Sequence, residues 1–311
     1  MSSMPLPWQE SVWESLNNSI DAGRLPHAVL ISGDSGIGKA RLAQALAQRL
    51  ICSAEMVKYA CGTCKSCTLL VAGNHPDVTW LEPEEKGKPI KIDQVRALCE
   101  SLSKTAQQGG WKVAVIAPAE TMNISAANAL LKNLEEPRAK TLLILVSNRP
   151  GRLSATIRSR CQQLSLPNPD SNSALRWLTQ VTDDQSAAEQ VLPLAGGRPL
   201  LALDYLQGGD LEQRAEFERL VADVREGSLS PLVAAQHCQK LDGDQSIEWF
   251  SRYIHRLATT ELAERPNTAL FGFSDKLLRA RNWIVSGNNP NLQLLWEELF
   301  MDWVMVFKAR K

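Results

Sequence analysis

A five-residue apolar run, 28-AVLIS-32, feeds directly into 33-GDSGIGKA-40, and a helical pattern follows from Lys39 to Cys52. No other stretch restricts the fold as strongly. GxxxxGK between a buried strand and a helix is a phosphate loop. Gly33, Gly36 and Gly38 let the backbone aim N–H groups at phosphate oxygens, and Lys39 neutralises them. Further continuous apolar runs stand at 78-VTWL-81, 113-VAVIA-117 and 142-LLILV-146, with 161-CQQLSL-166 as a fifth. Runs of this kind indicate parallel strands buried on both faces. Helical patterns at 92–104 and 125–136 alternate with them, the second capped by Ser125 and stopped by Pro137. The expectation is a doubly wound α/β domain over residues 1–166.

The rest reads as helical. A proline-and-polar linker, PNPDSNS, spans 167–173. Short helices at 174–181, 186–195 and 199–206 make a small lid over 167–209, and a C-terminal helical bundle fills 210–311. Its clearest element carries Leu292, Leu295, Trp296, Leu299, Phe300, Trp303 and Phe307 at helical spacing, with Asn289 as N-cap and Pro290 in the first turn. That stripe reads as core packing, and an oligomerisation collar is compatible with it.

Apolar residues at 44% and charged residues at 22% exclude disordered and fibrous classes. No run approaches the ~18 apolar residues of a membrane span, and MSSMPLPWQE lacks a signal-peptide profile, so a cytoplasmic protein is expected. Net charge is zero, but residues 1–166 hold 19 Lys/Arg against 14 Asp/Glu, and residues 167–311 hold 15 against 20. Neither half has the dense basic face of a nucleic-acid binder, so any work on DNA runs through partners.

The phosphate loop lacks what hydrolysis needs. Its eighth position takes Ser or Thr when Mg²⁺ is held, and here it is Ala40. Two readings stay open: a loop that only shapes a turn, and one that still binds ATP or ADP with little Mg²⁺. P-loop ATPases also place an acid at the end of a second buried strand. Here Ala117 and Pro118 follow Val113–Ile116 directly, and Glu120 stands two residues further on. Losing both parts removes orders of magnitude in rate. The chain is expected not to hydrolyse ATP by itself.

Four of the seven cysteines, Cys52, Cys61, Cys64 and Cys67, form C-x8-C-x2-C-x2-C. Disulfides are not expected in a cytosolic chain. Four thiolates at this spacing favour tetrahedral Zn²⁺ in a closed, structural site, with Gly62 easing the turn. An iron–sulfur cluster and unligated thiols are the weaker alternatives. Cys99, Cys161 and Cys238 read as small buried apolar residues, and His75 as structuring its own His-Pro-Asp turn rather than as a fifth ligand.

At the end of the α/β domain, Arg149, Arg152, Arg158 and Arg160 fall within 149-RPGRLSATIRSRC-161. Composition alone reads this as a solvated basic loop. The sharper reading has Arg160 project toward a neighbouring subunit, where an arginine in trans stabilises charge on a transferred phosphoryl group.

The glycine loop, the cysteine cluster, 73-GNHPD-77, 125-SAANALLKNLEEP-137 and 158-RSRC-161 together resemble the AAA+ clamp-loader subunits of bacterial DNA polymerase III. The resemblance covers most of 1–166, weakens over 167–210, and rests on helical content beyond. It implies a RecA-like AAA+ domain with a parallel sheet, a lid and a C-terminal collar. Motor members of the family keep a complete phosphate loop and an Asp–Glu strand end, where this chain has Ala40, Ala117 and Pro118. Leu200 stands where a motor has a nucleotide-sensing lid arginine, with Arg198 nearby. The resemblance therefore implies a stationary subunit that lends Arg160 to a neighbour's ATP site. Its implied partners are the motor subunits (gamma/tau) and the delta subunit, in an assembly that opens the sliding clamp and closes it on primed DNA. Such a chain has no ATPase of its own and works as part of the DNA-directed DNA polymerase III holoenzyme.

Two rival readings have their own signatures. An independent AAA+ ATPase would release phosphate steadily from Mg-ATP, and Ala40, Ala117 and Pro118 speak against it. A freestanding zinc module for nucleic acid would bind DNA with steep salt dependence. Zero net charge and Glu82, Glu84 and Glu85 close to Asp77 speak against that.

Overall fold

Side-chain alternation along five short strands divides the first half of the chain into two hydrophobic layers. The structure, a computed structural model, describes residues 4–54, 57–85, 87–108, 110–208, 210–260, 268–285 and 290–308. It falls into two compact units, with the boundary between Tyr205 and Leu206.

The first unit holds β1 (Ala28–Ser32), β2 (Val78–Leu81), β3 (Lys112–Ile116), β4 (Thr141–Ser147) and β5 (Gln162–Ser165), all parallel, in the order β2-β3-β4-β1-β5. Its helices are α1 (Glu10–Asp21), α2 (Lys39–Ile51), α3 (Lys65–Val71), α4 (Ile92–Ser103), α5 (Ile124–Glu135), the single turn α6 (Ala155–Arg158), α7 (Ser171–Thr182), α8 (Gln185–Leu194) and, as far as Tyr205, α9 (Pro199–Gly208). Val29, Ile31, Val113, Val115 and Ile144 face Trp13 of α1 and Leu42 and Leu46 of α2. Leu30, Ala114, Ile116, Leu143 and Leu145 face Val95 and Leu98 of α4 and Leu130 and Leu134 of α5. Helices therefore cover both faces, as the continuous apolar runs require.

The flanking strands depart from expectation. In β2 only Leu81 is buried, and no residue of β5 is fully buried. Each has a single neighbour, so part of its surface meets water. The cap of α5 also moves. Asn123, not Ser125, stands at its start, and its Oδ1 accepts Ala126 N–H at 2.8 Å. Ser125 lies inside the first turn. The helix α1, the helix α3 and the turn α6 form outside the stretches expected to be helical.

The lid residues expected at 167–209 belong to the first unit as far as Tyr205. Asp170 and Asp184 cap α7 and α8 through Ser173 N–H and Ala187 N–H, both at 2.9 Å.

The second unit contains α10 (Asp210–Glu226), α11 (Pro231–Cys238), α12 (Gly243–Thr259), α13 (Thr268–Val285) and α14 (Leu292–Lys308). The aromatic stripe of α14 is its core. Trp296, Phe300 and Trp303 are fully buried with Phe217 and Phe250, and ring centroids of Phe250 and Trp303 lie 5.1 Å apart, edge to face. Trp303 Nε1 donates to Val221 O at 3.0 Å, so its one polar atom is satisfied. Asn291 begins α14, accepting Leu294 N–H at 3.2 Å. Pro290 precedes the helix, and Asn289 lies outside the described residues. No helix among the described residues is long and apolar enough to cross a membrane.

Removing the Trp303 ring opens a cavity in this core, and losses of this kind cost about 3–5 kcal/mol. Trp303→Ala is expected to lower the unfolding free energy by that amount, read as a lower urea midpoint in equilibrium unfolding.

Candidate functional site

The carbonyl side of the phosphate loop is held by protein. Leu200 N–H donates to Gly36 O at 3.1 Å. Trp8 Nε1 and Gln9 Nε2 donate to Ile37 O at 2.9 and 3.1 Å, and Gln9 Nε2 also reaches Gly38 O at 2.9 Å. Gly36 has φ of 83°, and a Cβ there would sit 2.7 Å from Leu201 Cβ. Only glycine permits this conformation and this approach. Phosphate would use the opposite, N–H side.

The loop lines a cavity of about 730 Å³ at the C-terminal ends of β1, β3 and β4. It brings together Gly36, Gly38, Lys39 and Ala40 from the loop with Ala117 and Pro118 from β3. Ala40, Ala117 and Pro118 thus contribute methyl and pyrrolidine groups to the cavity wall, which Glu82 and Asp204 also line. Leu200 also lines the cavity, presenting an apolar side chain. Arg198 is buried, and its Nε donates to Ala195 O at 2.9 Å.

Lys39 is only 4% exposed, and its Nζ donates to Asp34 O. Burial pushes its pKa down to about 8, the Glu120 and Asp34 charges pull it up, and Arg198 adds to the depression. Glu120 does not line the cavity. A short 3-10 turn, Ala119–Thr121, swings it toward the end of β4, where Oε1 accepts Asn148 N–H at 2.9 Å. Its Oε2 is buried without a partner. Glu120 thus reaches Lys39 by its field rather than by filling the missing acid's position.

Arg160 lies elsewhere, between α6 and β5. Its guanidinium pairs with Glu135 of α5 at 2.7 Å, donates to Thr156 O at 3.0 Å, and keeps a side-chain exposure of 34%. This fixes the guanidinium while leaving part of it at the surface. It is not part of the cavity at Lys39.

The cysteines converge. The sulfurs of Cys52, Cys61, Cys64 and Cys67 all lie within 4.8 Å of one another. A tetrahedral site with bonds of ~2.3 Å needs sulfurs about 3.8 Å apart, so the cluster fits a metal of that kind. Cys52 terminates α2, Cys64 starts α3 and Cys67 sits one turn into it. Cys61 N–H points at Cys52 Sγ and Cys64 N–H at Cys61 Sγ, each at 3.3 Å. Backbone N–H groups of Thr63 and Cys64 hold the Cys61 thiol below the usual range. Tyr59 stacks on Trp13 with centroids 5.9 Å apart, docking this segment on α1. His75 is no part of the cluster. Its Nδ1 accepts Asp77 N–H at 3.1 Å, as its own turn requires. Cys161 and Cys238 are buried, while Cys99 is half-buried.

A family model described as "DNA polymerase III, delta subunit" matches residues 8–170. A DNA polymerase III subunit delta' from Pseudomonas aeruginosa is 37% identical over 96% of both chains. One from Haemophilus influenzae is 44% identical over 68% of this chain and 65% of its own. This chain belongs to the delta' family of DNA polymerase III subunits. A crystal structure of a gamma-subunit-related protein of DNA polymerase III from Thermotoga maritima shows the same fold, with TM-score 0.53 and 17% identity over 96% of this chain and 99% of that one.

The stretch matched to the family model contains the phosphate loop, the cysteine cluster and Arg160. Delta' membership over nearly the whole chain extends to the second unit, where motifs were silent. Sequence reasoning missed Trp8 and Gln9 behind the loop, and Trp80, Glu82 and Asp204 along the cavity. Glu82 had one legible signal, an acid directly after an apolar strand. The others come from distant segments.

The depressed pKa of Lys39 has a sign. Below about pH 8 the folded state carries a buried ammonium, at a cost near 3 kcal/mol. Between about 8 and 10.5 the folded chain binds fewer protons than the unfolded one, so this cost fades as pH rises. Lys39→Met also forfeits a hydrogen bond of about 1 kcal/mol. The variant is expected to be about 2 kcal/mol more stable than the parent at pH 7, and no more stable above pH 10, by urea titration at each pH.

Proposed function

We propose that this chain is the stationary subunit of a clamp loader, unable to hydrolyse ATP itself and completing a neighbour's ATP site with Arg160. The observation that carries the reading is one cavity in which Ala40, Ala117 and Pro118 surround Lys39. A loop of this shape can receive phosphate oxygens, but it offers no side chain at these positions to hold Mg²⁺ or orient water. Arg160 is by contrast intact and partly exposed, with Glu135 fixing its direction. Whether ATP or ADP rests on Gly33, Gly36, Gly38 and Lys39 does not alter this division of labour.

In the proposed assembly the motor subunits (gamma/tau) and the delta subunit are neighbours, and the complex loads the sliding clamp on primed DNA. Residues 167–209 act as the lid. Residues 210–311 act as the collar, and exposed Phe271, Leu278, Leu294, Met301 and Met305 support an oligomerising role for that unit. Cys52, Cys61, Cys64 and Cys67 hold structural Zn²⁺. The ion joins the end of α2 to α3 and leaves no ligand position open for water.

Two measurements test this. Arg160→Ala should assemble normally yet lower the complex's DNA-stimulated ATPase, since an arginine finger is worth about 10³ or more at the site it serves. An unchanged rate contradicts the role. Elemental analysis should return one zinc per chain, and Cys64→Ser should lose it and melt several degrees lower. A metal-free parent of equal stability contradicts the zinc assignment.

A further inference from the structure

Lys112 opens β3, at the end of the strands opposite the phosphate loop. It is 6% exposed, and its Nζ donates to Ser101 O in the last turn of α4 at 2.7 Å. Among the described residues it meets no carboxylate. One carbonyl uses one of three ammonium protons and carries no full charge, so the buried cation is incompletely compensated. Beside it lies a cavity of about 500 Å³, walled by the α4–β3 connection and the α5–β4 connection. Lys104, Lys112, Arg138 and Lys140 line it, and no acid does. Lys104 alone of these four has an ion-pair partner among the described residues, Glu100 at 2.9 Å. The carboxylate of Asp77 holds the α4–β3 connection, but Gln107 and Gln108 N–H occupy its two oxygens at 2.8 and 2.9 Å. Lys140 adopts φ of 55°, a left-handed conformation that favours glycine, and its carbonyl accepts Lys112 N–H at 2.8 Å.

We propose that this cavity binds phosphoryl groups, with Lys112, Arg138 and Lys140 as its donors. The chemistry suits two sources, a free polyphosphate or the backbone phosphates of a nucleic acid. A flat acidic protein surface fits less well, because Lys112 lies inside the concavity. The plain alternative is that these cations only offset the C-terminal dipoles of α4 and α5.

The test titrates the purified full chain with inorganic pyrophosphate by calorimetry, using a Lys39→Met background to silence the phosphate loop. Arg138 and Lys140 are exposed, so Arg138→Gln/Lys140→Gln should keep the fold, which its urea midpoint verifies. The double substitution is expected to weaken pyrophosphate binding about tenfold or more, with Lys112→Met as a second variant. A parallel titration with short duplex DNA separates the sources. Weakening confined to pyrophosphate supports a free polyphosphate, and weakening of the duplex supports backbone phosphates. If the double substitution weakens neither, the site does not exist and the cations serve the helix ends.

Discussion

A phosphate loop whose carbonyls are bonded from behind is the constraint on which the first unit depends. Trp8, Gln9 and Leu200 come from segments far apart in sequence, yet they meet at three consecutive loop residues. Gly36 and Gly38 are needed because those segments press too closely for a Cβ. The loop thus draws its shape from the fold rather than from a ligand. The loop lines the cavity, and β1 directly before it is buried along its whole length.

Electrostatics then divide the surface into parts with different tasks. Around Lys39 a positive charge is buried, lowered toward neutrality and left without a metal-binding side chain at Ala40, Ala117 and Pro118. Around Arg160 a positive charge is kept at the surface and oriented by Glu135. A guanidinium stays charged at any working pH and presents a fixed fork of donors, which suits a group meant for a partner's phosphate. The cysteine module does neither job. Its four sulfurs converge between α2 and α3, and Tyr59 against Trp13 anchors that segment to α1.

The strands and the loop were legible because each carries a local signal, an apolar run or a glycine at a fixed offset. The cysteine cluster and the α14 stripe were legible for the same reason. What failed was decided by neighbours. Asn123 rather than Ser125 caps α5, because the chain enters the helix two residues earlier than its apolar period suggests. β2 and β5 are half-exposed because the sheet ends there, which no single strand encodes. Glu120 stands two residues past the strand end, and its Oε1 accepts Asn148 N–H. Its electrostatic hold on Lys39 could not be read from the chain. The basic cavity at Lys112 escaped notice because its cations come from two loops separated in sequence.

One account unites these features: a phosphate loop that has lost its chemistry in a subunit that contributes an arginine elsewhere. It is tested most directly by phosphate release from Mg-ATP with the purified chain alone, followed by the same assay after adding the partner subunits. The account predicts no turnover above background from the chain alone and turnover only in the assembled complex. Brisk hydrolysis by the isolated chain would contradict it.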